Sequence, residues 1–193
     1  MIKNFALISS IMIAALSLPL GATTRAETPE RRPVEDSDNN LLDRLAHAQD
    51  ELESRHIAET LLRRWARANS DTIDLLAARA QAAEAAGAAP LARQLMDYVV
   101  SLAPNWVDGY VRRARARAAS GDEAGALADL ETALRMEPRR FDALTIQAAL
   151  AERSGDKKQA LSAIRRALTL QPMNEELQKT EERLKTDVEG RDI

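Results

Sequence analysis

Apolar residues recur at helical spacing along the chain from about Leu41 onward. In Glu123–Met136 they stand at i, i+1, i+4, i+7 and i+8 counted from Ala126, which gives a helix one continuous apolar face. Abundant alanine, arginine, glutamate and leucine, with few aromatic or β-branched residues, also favour helices over sheets. The pattern therefore predicts an all-α protein. The same reading predicts further helices over 107–120, 141–154 and 157–170.

The helical pattern repeats with a period of 34 residues. Pro104, Pro138 and Pro172 are separated by this interval, and three glycines coincide at the same offset. Each glycine is followed five residues later by an alanine. Coincidences of this kind indicate a tandem array of one supersecondary unit. The glycines are Gly87, Gly121 and Gly155, and the alanines are Ala92, Ala126 and Ala160.

Each unit is predicted to be a pair of helices joined by a tight turn. Gly121-Asp122 and Gly155-Asp156 interrupt the apolar pattern in the manner of a helix C-cap followed by a turn. Alanines recur where the paired helices must approach each other closely, because a larger side chain would overpack the contact. These alanines are Ala114 and Ala126 in one unit, and Ala148 and Ala160 in the next.

A helix–turn–helix unit of this length, with these residues, resembles the tetratricopeptide repeat. The unit 107–140 matches the family pattern with Tyr110, Ala114, Gly121-Asp122, Ala126, Leu130, Ala133 and Pro138. The unit 141–174 does so with Leu144, Ala148, Gly155-Asp156, Ala160, Ile164, Ala167 and Pro172. The unit 73–106 has Leu76, Ala80, Gly87, Ala92, Met96, Val99 and Pro104, with Ala88 in place of the turn aspartate.

The resemblance implies a right-handed α-solenoid over 41–188, closed by a C-terminal capping helix at 174–188 with Leu177 and Leu184 on one side. One further unit, 39–72, is expected to be a degenerate repeat. It keeps Leu42, Leu45, Ala46, Ala58 and Leu62, but lacks the turn glycine and has Trp65 and Ser70 at the alanine and proline positions. Residues 189–193 are a short tail.

The first 26 residues have the layout of a secretory signal peptide. Lys3 precedes an apolar run from Phe5 to Leu20, and cleavage is expected after Ala22 or Ala26. An uncleaved segment that anchors the chain in the inner membrane is the alternative. Residues 27–40 hold two prolines and many charges with almost no apolar residue, so they are predicted to be a flexible linker.

Composition removes several classes of function. The chain has no cysteine, which excludes disulfides, thiol nucleophiles and a lipoprotein anchor. Its net charge of −3 argues against nucleic-acid binding. His47 and His56 have no partner at ligand spacing, and neither a nucleophile elbow nor a phosphate-binding glycine loop occurs. No catalytic residue, cofactor or metal is expected, and no membrane insertion once the signal is removed.

In the family, the first helix of each repeat lines a concave groove, and the resemblance carries this role to particular residues. Arg112 and Arg115 lie about 60° apart on one helix face, and we expect them to bind a carboxylate of a partner. Arg113 and Arg117 face elsewhere, with stems packed between helices and heads paired with acids. The other expected groove residues are Gln81, Glu84, Asp108, Val111, Thr145, Ala149 and Glu152.

The sequence thus predicts a non-enzymatic periplasmic scaffold or adaptor that binds a protein or peptide in its groove. The chain resembles small exported tetratricopeptide-repeat proteins of alphaproteobacteria, which implies a role in cell-envelope assembly or integrity. A periplasmic holdase-type chaperone for exported clients is the alternative, although the charged groove lining argues mildly against it. The sequence leaves the partner and the oligomeric state open.

Overall fold

The computed structural model describes residues 37–190, which form helices joined by short turns without strands. The predicted signal peptide, most of the predicted linker and residues 191–193 lie outside the described residues. The helices are α1 (Asp38–Ala46), α2 (Glu51–Trp65), α3 (Asp71–Ala85), α4 (Ala89–Leu102), α5 (Val107–Ala119), α6 (Glu123–Met136), α7 (Phe141–Arg153), α8 (Lys157–Leu170) and α9 (Glu175–Glu189). None of these helices is long and apolar enough to cross a bilayer.

Helices α3 to α8 form three successive hairpins, and the fold is an all-α solenoid as predicted. The turn glycines Gly87, Gly121 and Gly155 have φ of 73°, 85° and 87°, a left-handed conformation that glycine adopts without a steric penalty. Asp122 and Asp156 then cap the next helix by accepting a hydrogen bond from a backbone N–H. The sequence pattern placed these turns correctly.

The core lies between the two helices of each hairpin and between successive hairpins. Ala114, Ala126 and Ala160 are fully buried at the helix crossings, which confirms the role expected from their size. At the C-terminal end, Leu177 and Leu184 of α9 are buried against α7 and α8 and close the apolar core. Helix α9 therefore gives the solenoid a polar outer surface at this end.

The α1–α2 hairpin packs differently from the three hairpins that follow it. Each later second helix packs along the next first helix, whereas α2 and α3 are barely in contact. Leu41, Leu45, Ile57 and Leu61 instead form a buried cluster with Phe141 of α7. The α1–α2 hairpin thus lies against α7 and α8, the last repeat of the array.

Trp65 explains this difference in packing. In the three repeats, the equivalent positions hold Val99, Ala133 and Ala167, all completely buried at close helix crossings. An indole ring is too large for such a crossing. The Trp65 ring packs on Phe141 instead, with the ring centroids 5.2 Å apart. Helix α1 also begins at Asp38, inside the predicted linker, because Ser37 caps it and Asp38 accepts a hydrogen bond from Trp65 Nε1.

Candidate functional site

An open cleft of about 400 Å³ lies between α2 on one side and α5 and α7 on the other. We call it the central cleft. Helix α2 forms one wall because of the unusual packing of the first hairpin, and the turn from α8 to α9 closes one end. The lining residues are Glu51, Ser54, Arg55, Ala58, Glu59, Leu62, Arg115, Phe141, Asp142, Thr145, Ile146, Gln171, Met173, Asn174 and Glu176.

The surface of the central cleft combines an apolar strip with charges that are mostly paired. Phe141, Ile146 and Met173 supply apolar surface on the solenoid side, and Leu62 does so from α2. Among the charges, Arg55 pairs with Glu51 on α2, and Asp142 is held by a buried arginine. A segment that entered the cleft would therefore meet apolar surface flanked by charges that already have partners.

Arg115 is the exception among the cationic residues of the central cleft. It projects from α5, its side chain is exposed, and no acid in the described part of the chain lies within ion-pair distance. An unpaired guanidinium carries several donors in a planar fork that matches a carboxylate. Arg115 is therefore the position in the cleft that can take an acidic group from outside without breaking an internal contact.

A buried charge cluster lies beneath the cleft, centred on Arg140. The residue is 1% exposed, and its Nε and Nη2 donate to the two carboxylate oxygens of Asp142 at 2.8 and 2.6 Å. Nη2 also donates to Asp108 Oδ1 at 2.6 Å. The guanidinium stacks on the Trp65 ring, 4.4 Å from its centroid. One residue thus connects the N-termini of α5 and α7 to the end of α2.

Arg140 stays charged in this buried position. Burial by itself would lower the pKa of Arg140, but the hydrogen bonds and charges of Asp142 and Asp108 outweigh it, so the pKa is raised. The positive charge is therefore present at any pH at which the protein is studied. The cluster acts as a fixed support for the cleft, because Phe141 and Asp142 follow Arg140 directly in the chain.

The role of Arg140 was not predicted from the sequence. A signal was present, because Asp74, Asp108 and Asp142 recur at the repeat interval at the start of each first helix. Asp74 accepts a hydrogen bond from the backbone N–H of Ala68, whereas the other two carboxylates bind Arg140. A periodic aspartate therefore fixes the entry of each first helix, and Arg140 is the cation that joins two of them.

The two arginines that were expected to act together differ in their contacts. Arg112 Nε donates to Asp108 Oδ2 at 2.5 Å, and its guanidinium stacks over the Trp106 ring. Arg112 is thus engaged within the fold, and only Arg115 remains available to a partner. The i, i+4 spacing of Asp108 and Arg112 was the sequence signal for this internal pair.

The other expected groove residues divide in a similar way. Val111 is 1% exposed and lies in the core, so the placement of Val111 in the groove was wrong. Asp108 is 7% exposed and is held by Arg112 and Arg140, so it has no free surface for a partner. Gln81 and Glu84 are exposed beside a smaller cavity of about 160 Å³ between α3 and α5. Thr145 and Ala149 are exposed on α7, and only Thr145 lines the central cleft.

Arg113 and Arg117 behave as the sequence indicated. Arg113 donates to both oxygens of Asp129, at 2.9 and 2.6 Å, and Arg117 lies 3.0 Å from the same carboxylate. Asp129 is almost completely buried. The expectation that both stems pack between helices while the heads pair with acids is confirmed.

Glu152, the last expected groove residue, is bound by the capping helix. Arg183 of α9 donates to both of its carboxylate oxygens, one of them at 3.0 Å. This hydrogen bonding lowers the pKa of Glu152. One turn further along α9, the hydrogen bond from Lys157 lowers the pKa of Asp187. These two ion pairs are therefore among those that hold α9 on the last repeat.

These two pairs should make the attachment of α9 sensitive to acid. Because both folded-state pKa values are lowered, the pairs add stability above the ordinary carboxylate pKa, and this stability is lost as the pH falls through the folded values. We expect the Glu152 carboxyl to titrate below its ordinary value when followed by ¹³C NMR. In the Arg183→Gln variant the midpoint should rise. Equal midpoints in the two proteins would contradict this coupling.

Neither histidine lies in the central cleft. His47 Nδ1 lies 2.8 Å from the carbonyl oxygen of Asp43, and His56 is exposed on α2. In the described ranges, no group of three or more histidine and carboxylate side chains has the arrangement of a metal site.

Comparisons with known proteins identify similar folds. The tetratricopeptide-repeat domain of Sgt2 from Aspergillus fumigatus is 24% identical, with a TM-score of 0.57 over 62% of this chain and 81% of that one. The Yersinia enterocolitica type III secretion chaperone SycD, in complex with a peptide of the translocator YopD, is 17% identical, with a TM-score of 0.57 over 61% of this chain and 95% of its own.

A thermophilic tetratricopeptide-repeat protein of Thermus thermophilus is 21% identical, with a TM-score of 0.54, and the match covers 80% of this chain and 84% of that one. No protein-family model matches the chain, and no curated protein does. Because the identities are low, these likenesses show the fold alone.

Proposed function

We propose that this chain, which has the tetratricopeptide-repeat fold, is a non-enzymatic scaffold that binds a segment of a partner protein in its central cleft. The observation that carries the proposal is the exposed, unpaired Arg115 beside the apolar surface of Ile146 in an open cleft. The partner segment would be amphipathic, with an acidic side chain or a C-terminal carboxylate for Arg115 and apolar residues for the strip.

The walls of the central cleft are ordered before any partner arrives. The Arg140 cluster fixes the start of α5 and α7, and Trp106 Nε1 donates to the Trp65 carbonyl oxygen at 3.0 Å to hold the end of α2. On binding, most of the conformational entropy would therefore be lost by the partner segment and not by the cleft. A rigid, charged cleft of this kind favours one defined partner over a range of unfolded clients.

The proposed location is the periplasm, supported by the signal-peptide pattern of residues 1–26. Envelope assembly or integrity is the role that we propose there. Intact-mass analysis of the chain purified from the periplasmic fraction should show a loss of residues 1–22 or 1–26. A chain of full mass in the inner-membrane fraction would support the anchored alternative instead.

SycD is a chaperone in complex with a peptide, which makes the holdase alternative worth testing in the same experiment. A photo-crosslinking residue is placed at Thr145 in the cleft and, as the control, at the exposed Arg166 on α8. In intact cells, we expect one abundant product specific to Thr145, which mass spectrometry then identifies. Many unfolded clients would support the chaperone. No product, or the same product from both positions, would contradict cleft binding.

A further inference from the structure

The α3–α4 hairpin has a face that no other part of the described chain covers. Leu75 on α3 is 53% exposed. Gly109 of α5 and Ala143 of α7 stand at the position of Leu75 in the next two repeats. A Cβ added to Gly109 would lie 3.5 Å from Val100 of α4, and Ala143 is fully buried. In those two repeats the preceding hairpin covers this face. Helix α2 does not cover it on α3, because the α1–α2 hairpin packs against α7 and α8.

Helix α4 extends the uncovered face with an apolar stripe. Its members stand at i, i+4, i+7 and i+11, so they share one side of the helix. Three of them are about half exposed or more, and Leu95 is partly buried. The equivalent residues of α6 are Gly125, Asp129, Thr132 and Met136, so the repeat does not itself require an apolar stripe. The stripe consists of Leu91, Leu95, Tyr98 and Leu102.

The two helices contribute to one continuous face. In the next repeat, Arg113 of α5 contacts Asp129 of α6. Arg79 is the equivalent of Arg113, and Leu95 is the equivalent of Asp129. By repeat equivalence, we infer that Leu95 of α4 lies beside Arg79 of α3. Arg79 is exposed, and no described acid lies within ion-pair distance of it. We call this surface, made of the stripe together with Asp71, Leu75, Arg79 and Ala82, the α3–α4 edge.

We propose that the α3–α4 edge binds the same edge of a second copy of this chain, related by a two-fold axis through Leu75. Asp71 and Arg79 stand four residues before and after Leu75 on one side of α3, and both are exposed. In an antiparallel contact centred on Leu75, Asp71 of each copy therefore faces Arg79 of the other. The surface is complementary to itself in charge, which an isologous dimer requires.

The rest of the α3–α4 edge fits this arrangement. Ala82 is small enough to let two copies of α3 approach closely, while the α4 stripes of the two copies contribute apolar area on both sides. The central cleft lies on other helices, so the dimer would leave Arg115 accessible. This proposal therefore stands independently of the proposed function.

Analytical ultracentrifugation of the purified full chain over a concentration series tests the proposal. We expect a reversible monomer–dimer equilibrium that the Leu75→Asp variant shifts to monomer, because it places two new carboxylates, one from each copy, against each other at the axis. Leu52→Asp is the matched control, since Leu52 is 74% exposed on α2 outside the edge, and it should leave the equilibrium unchanged. Circular dichroism should show the same helix content in all three proteins.

Charge reversal distinguishes this geometry from general apolar contact. The Arg79→Asp variant should raise the dimer dissociation constant by about tenfold, because it places two aspartates opposite each other in both cross-pairs. Adding Asp71→Arg should restore most of the affinity. A chain that stays monomeric overturns the proposal and leaves the edge to residues 1–36 or to another protein. The proposal is also overturned if the Leu75→Asp variant dimerises as strongly as wild type, or if the Asp71→Arg/Arg79→Asp double variant dimerises no better than Arg79→Asp.

Discussion

Replacing Arg140 with alanine is expected to lower the free energy of unfolding by about 3–5 kcal/mol, because two buried carboxylates lose their only shared cation. Asp108 and Asp142 are both almost completely buried, and Arg140 donates to each of them. Without it, Asp142 would lose its cation while Asp108 would keep Arg112, and neither carboxylate would have much access to water. Urea denaturation followed by circular dichroism measures the loss.

Arg139 provides the matched control one residue away. Its ion pair with Asp43 spans 2.6 Å but is more exposed, with the Asp43 side chain 69% accessible. The Arg139→Ala variant should therefore lose no more than about 1 kcal/mol. Adding Asp142→Asn to Arg140→Ala should recover part of the larger loss, since it removes the buried carboxylate that Arg140 had neutralised. Equal effects of the two alanine variants would show that the Arg140 cluster is not a buried support.

The Trp65→Ala variant is expected to release the α1–α2 hairpin while the solenoid from α3 to α9 stays folded. The substitution removes the ring that packs on Phe141 and stacks on Arg140, and it removes the hydrogen bond from Nε1 to Asp38. Loss of a half-buried aromatic residue of this kind costs about 2–3 kcal/mol. The ring contacts with Phe141 and Arg140 join the hairpin to the start of the last repeat, whereas the hydrogen bond to Asp38 lies within the hairpin.

Hydrogen exchange followed by mass spectrometry locates the effect of Trp65→Ala. Amides of α1 and α2 should exchange faster, whereas those of α4 and α6 should keep their protection. Leu52→Ala on the same helix is the control, and its exposed side chain should leave every segment unchanged. Uniform loss of protection along the chain would mean that the hairpin is not a separate unit docked on the last repeat.

The regular part of the fold could be predicted from the sequence because its information is local and periodic. A glycine at each turn and an alanine at each helix crossing recur at one interval, and each serves the same steric purpose in every repeat. The helices α5 to α8 accordingly lie within one residue of their predicted bounds.

The position of the first hairpin could not be predicted in this way. Trp65 shows from its size that residues 39–72 depart from the repeat, but the sequence does not say which surface accepts the ring. That surface, Phe141 with Arg140, stands more than two repeats later in the chain. The wall that α2 adds to the central cleft was missed for the same reason, since it depends on a contact between distant segments.

The candidate site was predicted in part. Helical geometry correctly placed Arg112 and Arg115 near each other, and both line the cavity between α3 and α5. Helical geometry alone does not show which acceptor each arginine binds, and Arg112 binds Asp108 within the fold. Val111 was misplaced because the family's groove positions were carried over without the packing of this chain, in which the side chain is buried.

The central claim is that the cleft binds a protein segment through Arg115, and peptide selection followed by titration tests it most directly. Peptides are selected from a random library against the full chain, and the binders are titrated against wild type, Arg115→Glu and the control Arg166→Glu. Arg166 is exposed on α8 and does not line the cleft. We expect binders that combine a carboxylate with apolar residues. Their affinity should fall about tenfold or more in Arg115→Glu and stay unchanged in Arg166→Glu. Binders without a carboxylate, or with equal affinity for all three proteins, would contradict the claim.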